Sequence, residues 1–232
     1  MDIQSAKTQL QTLIDAEAPQ FRIIAVFGMA GVGKTTFLKS VYNFYKVSDV
    51  FEIVIWVTVS QDYKISELQR CIAEAINLDL SRTSDIENRK IKLSANLKNK
   101  KFLLILDDMW TALDFQELGV AFVSTDKGSK VLFSTRSRDL ALEEGKVSIK
   151  VEPLSRDEGW ALFQRIAFKG NHVPKEFKDC ARNITDECEG LPLAITVVAA
   201  AISSKRTVDD WSSCLSLMTN TDPSFPETHP KN

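Results

Sequence analysis

The segment Gly28-Met29-Ala30-Gly31-Val32-Gly33-Lys34-Thr35 decides the reading of this chain, because it carries the spacing G-x-x-x-x-G-K-[ST] between an apolar run and a helical pattern. Glycines let consecutive backbone N–H groups curl around a phosphate without Cβ clashes. A helix that opens directly behind them aims its free N–H groups and positive dipole end at the same anion. Backbone from Gly28, Met29, Ala30, Gly31, Val32 and Gly33 is therefore expected to cradle a nucleotide's phosphates. Lys34 is expected to bridge the β- and γ-phosphates, Thr35 to ligate Mg²⁺ through its hydroxyl, and Thr36 to reach the α-phosphate.

Outward from this loop, short apolar runs alternate with segments of helical period. Residues 22–27 (RIIAVF) read as a first strand, and the helix after the loop places Leu38, Val41, Tyr42 and Tyr45 on one face. A second strand is expected at 51–59, a helix at 66–76 with Leu68, Cys71, Ile72, Ala75 and Ile76 as its apolar stripe, and another helix at 85–97. Residues 101–106 form a third strand whose unbroken apolar character implies burial on both faces, as in the middle of a parallel sheet. Residues 129–134 and 147–151 supply two more. The fold expected over residues 1–153 is thus α/β, a five-stranded parallel sheet flanked by helices.

Past Pro153 the pattern is helical only, at 156–168, 175–189, 191–204 and 208–218, which reads as a small helical domain over residues 154–218. Residues 219–232 contain Pro223, Pro226 and Pro230 among small polar residues and are expected to be a flexible tail.

The third strand ends in Asp107-Asp108. Such a pair alone is equally what a solvated strand end looks like. With a phosphate loop upstream it becomes the oxygen donor set that Mg²⁺ prefers. Asp107 is expected to accept the Mg²⁺, and Asp108 to orient or deprotonate the attacking water.

Composition narrows the alternatives. Hydrophobic residues are 44% and charged residues 26%, a globular balance that fits neither a fibrous nor a wholly disordered chain. Lys plus Arg number 29 against 31 Asp plus Glu, so the strongly basic footprint of a dedicated nucleic-acid binder is missing. The most apolar stretch, residues 191–202, is well short of the about 20 residues a membrane span needs. Met1-Asp2-Ile3-Gln4-Ser5 has none of the basic start and apolar run of a secretory signal, and a cytoplasmic location is expected. Cys71, Cys180, Cys188 and Cys214 form no Cys-x-x-Cys pair, and only His172 and His229 stand by to help, which argues against zinc. Cys180 and Cys188 fall on the stripe Phe177, Cys180, Ala181, Ile184, Cys188 and read as buried small hydrophobes.

Six blocks in order resemble the NB-ARC nucleotide-binding module of plant intracellular immune receptors. Residues 28–36 resemble its P-loop, 51–61 (FEIVIWVTVSQ) the next block, and 102–110 (FLLILDDMW) its kinase 2 motif. Residues 128–137 (GSKVLFSTRS) are similar to kinase 3a, 154–163 (LSRDEGWALF) to the opening of the helical ARC1 subdomain, and 190–194 (GLPLA) to the GLPL motif. The resemblance implies an ADP/ATP switch with slow Mg²⁺-dependent hydrolysis, in which Arg136 senses the γ-phosphate, with Arg138 as a competitor, and Pro192 packs against the nucleotide. Trp110 resembles the coiled-coil class of receptor. The second ARC subdomain and leucine-rich repeats have no counterpart after Trp211, which implies a fragment of a larger receptor whose partners are its other domains and copies of itself.

Two other readings compete. A GTPase is expected to carry an Asn/Thr-Lys-x-Asp motif, which does not occur, and a small-molecule kinase an arginine-rich lid, for which Arg136 and Arg138 are too few. A scaffold that holds nucleotide without hydrolysing it shares all of these motifs.

Overall fold

The computed structural model describes residues 3–16, 22–81, 83, 85–120, 128–143 and 146–219. The chain divides into two compact units, Met1–Glu152 and Pro153–Asn232.

The first unit is built on strands β1 (Ile23–Phe27), β2 (Ile53–Thr58), β3 (Phe102–Met109), β4 (Lys130–Thr135) and β5 (Val147–Lys150). All neighbours pair in parallel in the order β2-β3-β4-β1-β5. Parallel neighbours require crossovers, and the helices that make them cover the sheet, so strands rich in Ile, Leu, Val and Phe bury both faces. β3 and β4 are the extreme case: every residue of β4, and all of β3 except Asp108, is buried. The helices are α1 (Ile3–Asp15), α2 (Lys34–Lys46), α3 (Ile65–Ala75), α4 (Ile86–Leu97) and the single-turn α5 (Arg138–Leu142). Their starts follow local chemistry. Asp85 accepts the Asn88 N–H at the head of α4, and Ser137 accepts the Leu140 N–H at the head of α5.

Two helices, α1 and α5, lie outside the segments expected to be helical. α5 is too short to show a stripe. α1 buries Ala6, Leu10 and Ile14, a spacing that was legible, and is tied down by distant groups. Lys130 Nζ donates to the Ala16 carbonyl at its C-terminus (2.5 Å), where the helix dipole favours a cation, and Tyr45 Oη donates to Asp15 Oδ1 (2.8 Å). α3 also sits rotated from its expected stripe. Ala75 is exposed, while Gln69 is buried and its Nε2 donates to the carbonyls of Ile86 (3.2 Å) and Glu117 (3.1 Å). An amide that stitches two backbone segments outweighs hydropathy there.

Among its described residues the second unit is helical: α6 (Arg156–Ala167), α7 (Lys175–Glu187), α8 (Pro192–Ile202) and α9 (Val208–Thr219). α6 opens with a capping box in which Ser155 and Glu158 satisfy each other's backbone N–H. The core gathers around Trp211, which meets the rings of Phe163, Phe168 and Phe177 at centroid distances of 6.2, 5.4 and 5.1 Å. Cys188 is buried in this core, whereas Cys180 is only half-buried at its edge. Beyond Thr219 the expected tail lies outside the described residues.

Candidate functional site

The carboxyl ends of β1, β3 and β4 lie side by side in the sheet and deliver every first-unit residue singled out from the sequence to one edge, where open parallel sheets bind ligands. β1 runs into the glycine-rich loop, which turns into α2 at Gly33, whose φ of 98° is the left-handed conformation that favours glycine. Gly28 is needed for another reason: a Cβ there would meet the Val151 carbonyl oxygen at 2.6 Å. Lys34, the first residue of α2, folds back over the loop, and its Nζ donates to the carbonyls of Gly28 (2.9 Å) and Met29 (2.8 Å). Burial lowers its pKa first and the nearby Arg136 charge second, against the opposing pull of Asp108 and Asp107. An anion entering the loop offers this ammonium the counter-charge that two neutral carbonyls do not.

Thr35 lies one residue further into α2. Its hydroxyl donates to Asp107 Oδ1 across 3.1 Å, joining the loop to the end of β3. Asp107 is buried at 4% exposure, and Ser134 Oγ on β4 donates to the same Oδ1 at 2.7 Å. β3 and β4 slip here. Leu106 pairs with Phe133 and Met109 with Thr135, so β3 spends one residue more than β4 over that interval, a β-bulge. Asp108 occupies the bulge with φ 63°, unusual for a residue with a side chain, and its N–H donates to Ser134 Oγ at 2.8 Å. The bulge sends the two adjacent carboxylates to different places. Asp107 stays in the sheet beside Thr35, and Asp108 turns outward to the Arg136 guanidinium, 3.4 Å from its Oδ2.

Arg136 follows β4 directly and lies over the Trp110 ring, 4.7 Å from guanidinium carbon to ring centroid. Of the two arginines, Arg136 is the one that reaches Asp108, while Arg138 begins α5 and is exposed. Thr36 is exposed within the first turn of α2. Pro192 stands in the first turn of α8 in the second unit, where its missing N–H costs the helix nothing.

Thr35 and Asp107 offer oxygen, the donor Mg²⁺ takes. Among the described residues no three His, Cys, Asp or Glu cluster as a metal cage, so these two residues suit an ion completed by phosphate and water. Ser134 and the stacking of Trp110 on Arg136 were not apparent from the sequence. Ser134 carries a weak signal, a hydroxyl residue in an otherwise apolar strand.

The NB-ARC domain family matches residues 3–173. Disease resistance protein RPS5 of Arabidopsis thaliana is 38% identical over 205 residues, covering 85% of this chain and 23% of that protein. A probable disease resistance protein from the same plant is 36% identical over 222 residues, covering 93% and 26%. The chain thus spans about a quarter of the length of these relatives. Among solved structures, Cdc6p from Pyrobaculum aerophilum superposes with a TM-score of 0.63 at 16% identity, over 91% of this chain and 62% of the other. A signal transduction ATPase with numerous domains and a tetratricopeptide repeat sensor, from Pyrococcus horikoshii, gives 0.56 at 17%, over 92% and 32%. What the chain shares with these two structures is the fold, a parallel sheet flanked by helices.

Proposed function

Since this chain belongs to the NB-ARC family, we propose that it forms the adenine-nucleotide switch unit of a larger, cytoplasmic plant immune receptor of the coiled-coil class. The observation that supports this best is the oxygen pair between the loop and the sheet, Thr35 Oγ1 and Asp107 Oδ1 at 3.1 Å, beside a lysine folded over the phosphate loop. In this reading ADP or ATP binds through the backbone of Gly28, Met29, Ala30, Gly31, Val32 and Gly33, with Lys34 on the β- and γ-phosphates and Thr36 toward the α-phosphate. Thr35 and Asp107 would hold Mg²⁺, which would supply charge neutralisation at the phosphates.

Asp108 acts on the attacking water and Arg136 on the γ-phosphate. These two side chains are paired at 3.4 Å and partly exposed, a contact weak enough for a phosphate to displace. In the whole receptor the unit answers to other domains and to copies of itself.

The test separates the two carboxylates. Asp107→Ala should weaken the Mg²⁺ dependence of ATP binding. Asp108→Ala should bind ATP nearly normally and release phosphate at least about 100-fold more slowly, the low end of what general-base catalysis contributes. Calorimetry beside a radiolabelled phosphate-release assay reads both. Wild-type hydrolysis by Asp108→Ala would remove the catalytic assignment, and Mg²⁺-independent binding by the wild type would remove the metal assignment.

A further inference from the structure

Ser134 sits where the two acids diverge, and none of the roles assigned above uses it. Its side chain is 1% exposed inside β4. Its oxygen accepts the Asp108 N–H at 2.8 Å and its proton goes to Asp107 Oδ1 at 2.7 Å, so one hydroxyl is bonded to both members of the pair. The hydroxyl next to it does something else: Thr135 Oγ1 accepts the Ser137 N–H at 3.0 Å, which turns the chain after β4.

Three features make the Ser134 bridge more than sheet filling. It lies at the bulge, where the ordinary ladder between β3 and β4 is interrupted and the Asp108 N–H has lost its regular strand partner. It holds Asp108 in a left-handed conformation that a side chain disfavours, and the outward turn of that carboxylate depends on this conformation. It also gives Asp107 Oδ1 a second donor besides Thr35. An amide donating into a hydroxyl polarises it and strengthens the bond it donates onward.

We propose that Ser134 is a positioning residue that sets both carboxylates through this one hydroxyl, orienting Asp107 for the divalent cation and holding Asp108 turned out of the sheet. The inference rests on the Mg²⁺ assignment of Thr35 and Asp107 made above. Groups behind a metal ligand that fix its orientation commonly change metal affinity when removed by about 10- to 100-fold. Ser134→Ala takes away the donor to Asp107 and the acceptor of Asp108 together, with little change of volume.

The test uses the purified chain and three readouts. In calorimetric titrations of ADP over a series of Mg²⁺ concentrations, Ser134→Ala should raise the Mg²⁺ midpoint by about 10-fold or more, while ADP binding in EDTA stays as in the wild type. Ser134→Thr, which keeps the hydroxyl, should restore the midpoint to within about threefold, a rescue that a purely steric role does not predict. In the metal- and nucleotide-free protein, amide hydrogen exchange at Asp108 should be at least about tenfold faster in Ser134→Ala, because that N–H has lost its acceptor. Should Ser134→Ala be too unstable to purify, Ser134→Cys, of similar shape and a weak donor, takes its place with the same direction expected. Asp107→Asn is the control. If it shifts the Mg²⁺ midpoint and the serine variant does not, Ser134 has no positioning role. If neither shifts it, the metal assignment fails and the inference with it. Wild-type exchange at Asp108 in Ser134→Ala would equally overturn the bridge.

Discussion

Replacing Lys34 with methionine keeps the length of the side chain and removes its charge, and the structure separates the consequences for folding from those for binding. Lys34 is 7% exposed, and its ammonium has two neutral carbonyl partners, at 2.9 and 2.8 Å. Losing two hydrogen bonds from a charged donor costs about 1.5–3 kcal/mol each. Against this stands the relief of a buried cation that also faces Arg136, the two causes that lower the lysine's pKa. These opposing terms are of similar size, so Lys34→Met should change the unfolding free energy of the nucleotide-free protein by no more than about 2 kcal/mol. Nucleotide binding has no such compensation. The wild-type ammonium exchanges neutral partners for phosphate oxygens, and truncating one partner of a desolvated charge pair costs about 2–5 kcal/mol. At 1.4 kcal/mol per decade, ADP and ATP affinity should fall by about 30-fold to several thousandfold. Urea unfolding gives the first quantity and isothermal titration the second. Unchanged ADP affinity in a folded Lys34→Met protein would refute the reasoning, and so would a loss of affinity explained by unfolding alone.

Further outcomes follow from the second unit. Phe163 is fully buried, stacked on Trp160 at 5.9 Å and edge-on to Trp211 at 6.2 Å, so Phe163→Ala should destabilise this unit by about 3–5 kcal/mol, read as a lower urea midpoint by tryptophan fluorescence. Burial pushes the Cys188 thiol up to about 11. At pH 8 only roughly one such thiol in a thousand is ionised, so iodoacetamide should spare Cys188 in the folded protein and label it once urea unfolds the unit, as peptide mass spectrometry will show. Rapid labelling of native Cys188 at pH 8 would contradict its burial.

Most elements were legible because their signals are local. The glycine loop, the apolar run ahead of it and the proline that opens α8 act within a turn or two of chain, and each element formed within a few residues of where they point. β3 was recognisable as a central strand because a strand covered on both faces cannot alternate polar and apolar residues. Misjudged positions lie where a distant partner decides. Gln69 is interior because two carbonyls from other segments receive its amide, and α1 is docked partly by Lys130, far along the chain.

The candidate site divides the same way. Lys34, Thr35, Asp107 and Asp108 stand out by residue type beside a motif, as phosphate and Mg²⁺ chemistry would require, and Arg136 stands out only through the resemblance to the kinase 3a block. The different surroundings of Asp107 and Asp108 were not readable from adjacent identical letters. They arise from a register slip between β3 and β4, and a slip is a property of two paired strands. Ser134 is the sharpest case. Within its own strand it is one hydroxyl beside another, and it gains meaning only when the sheet brings it to Asp107 and to the N–H of Asp108. Sequence alone therefore determined which chemical groups this protein carries and roughly which strand or helix bears each, because those depend on neighbours along the chain. Tertiary structure alone decided strand order, register and the hydrogen bonds that aim the groups, because a bond between residues far apart in sequence exists only once the sheet has closed the distance.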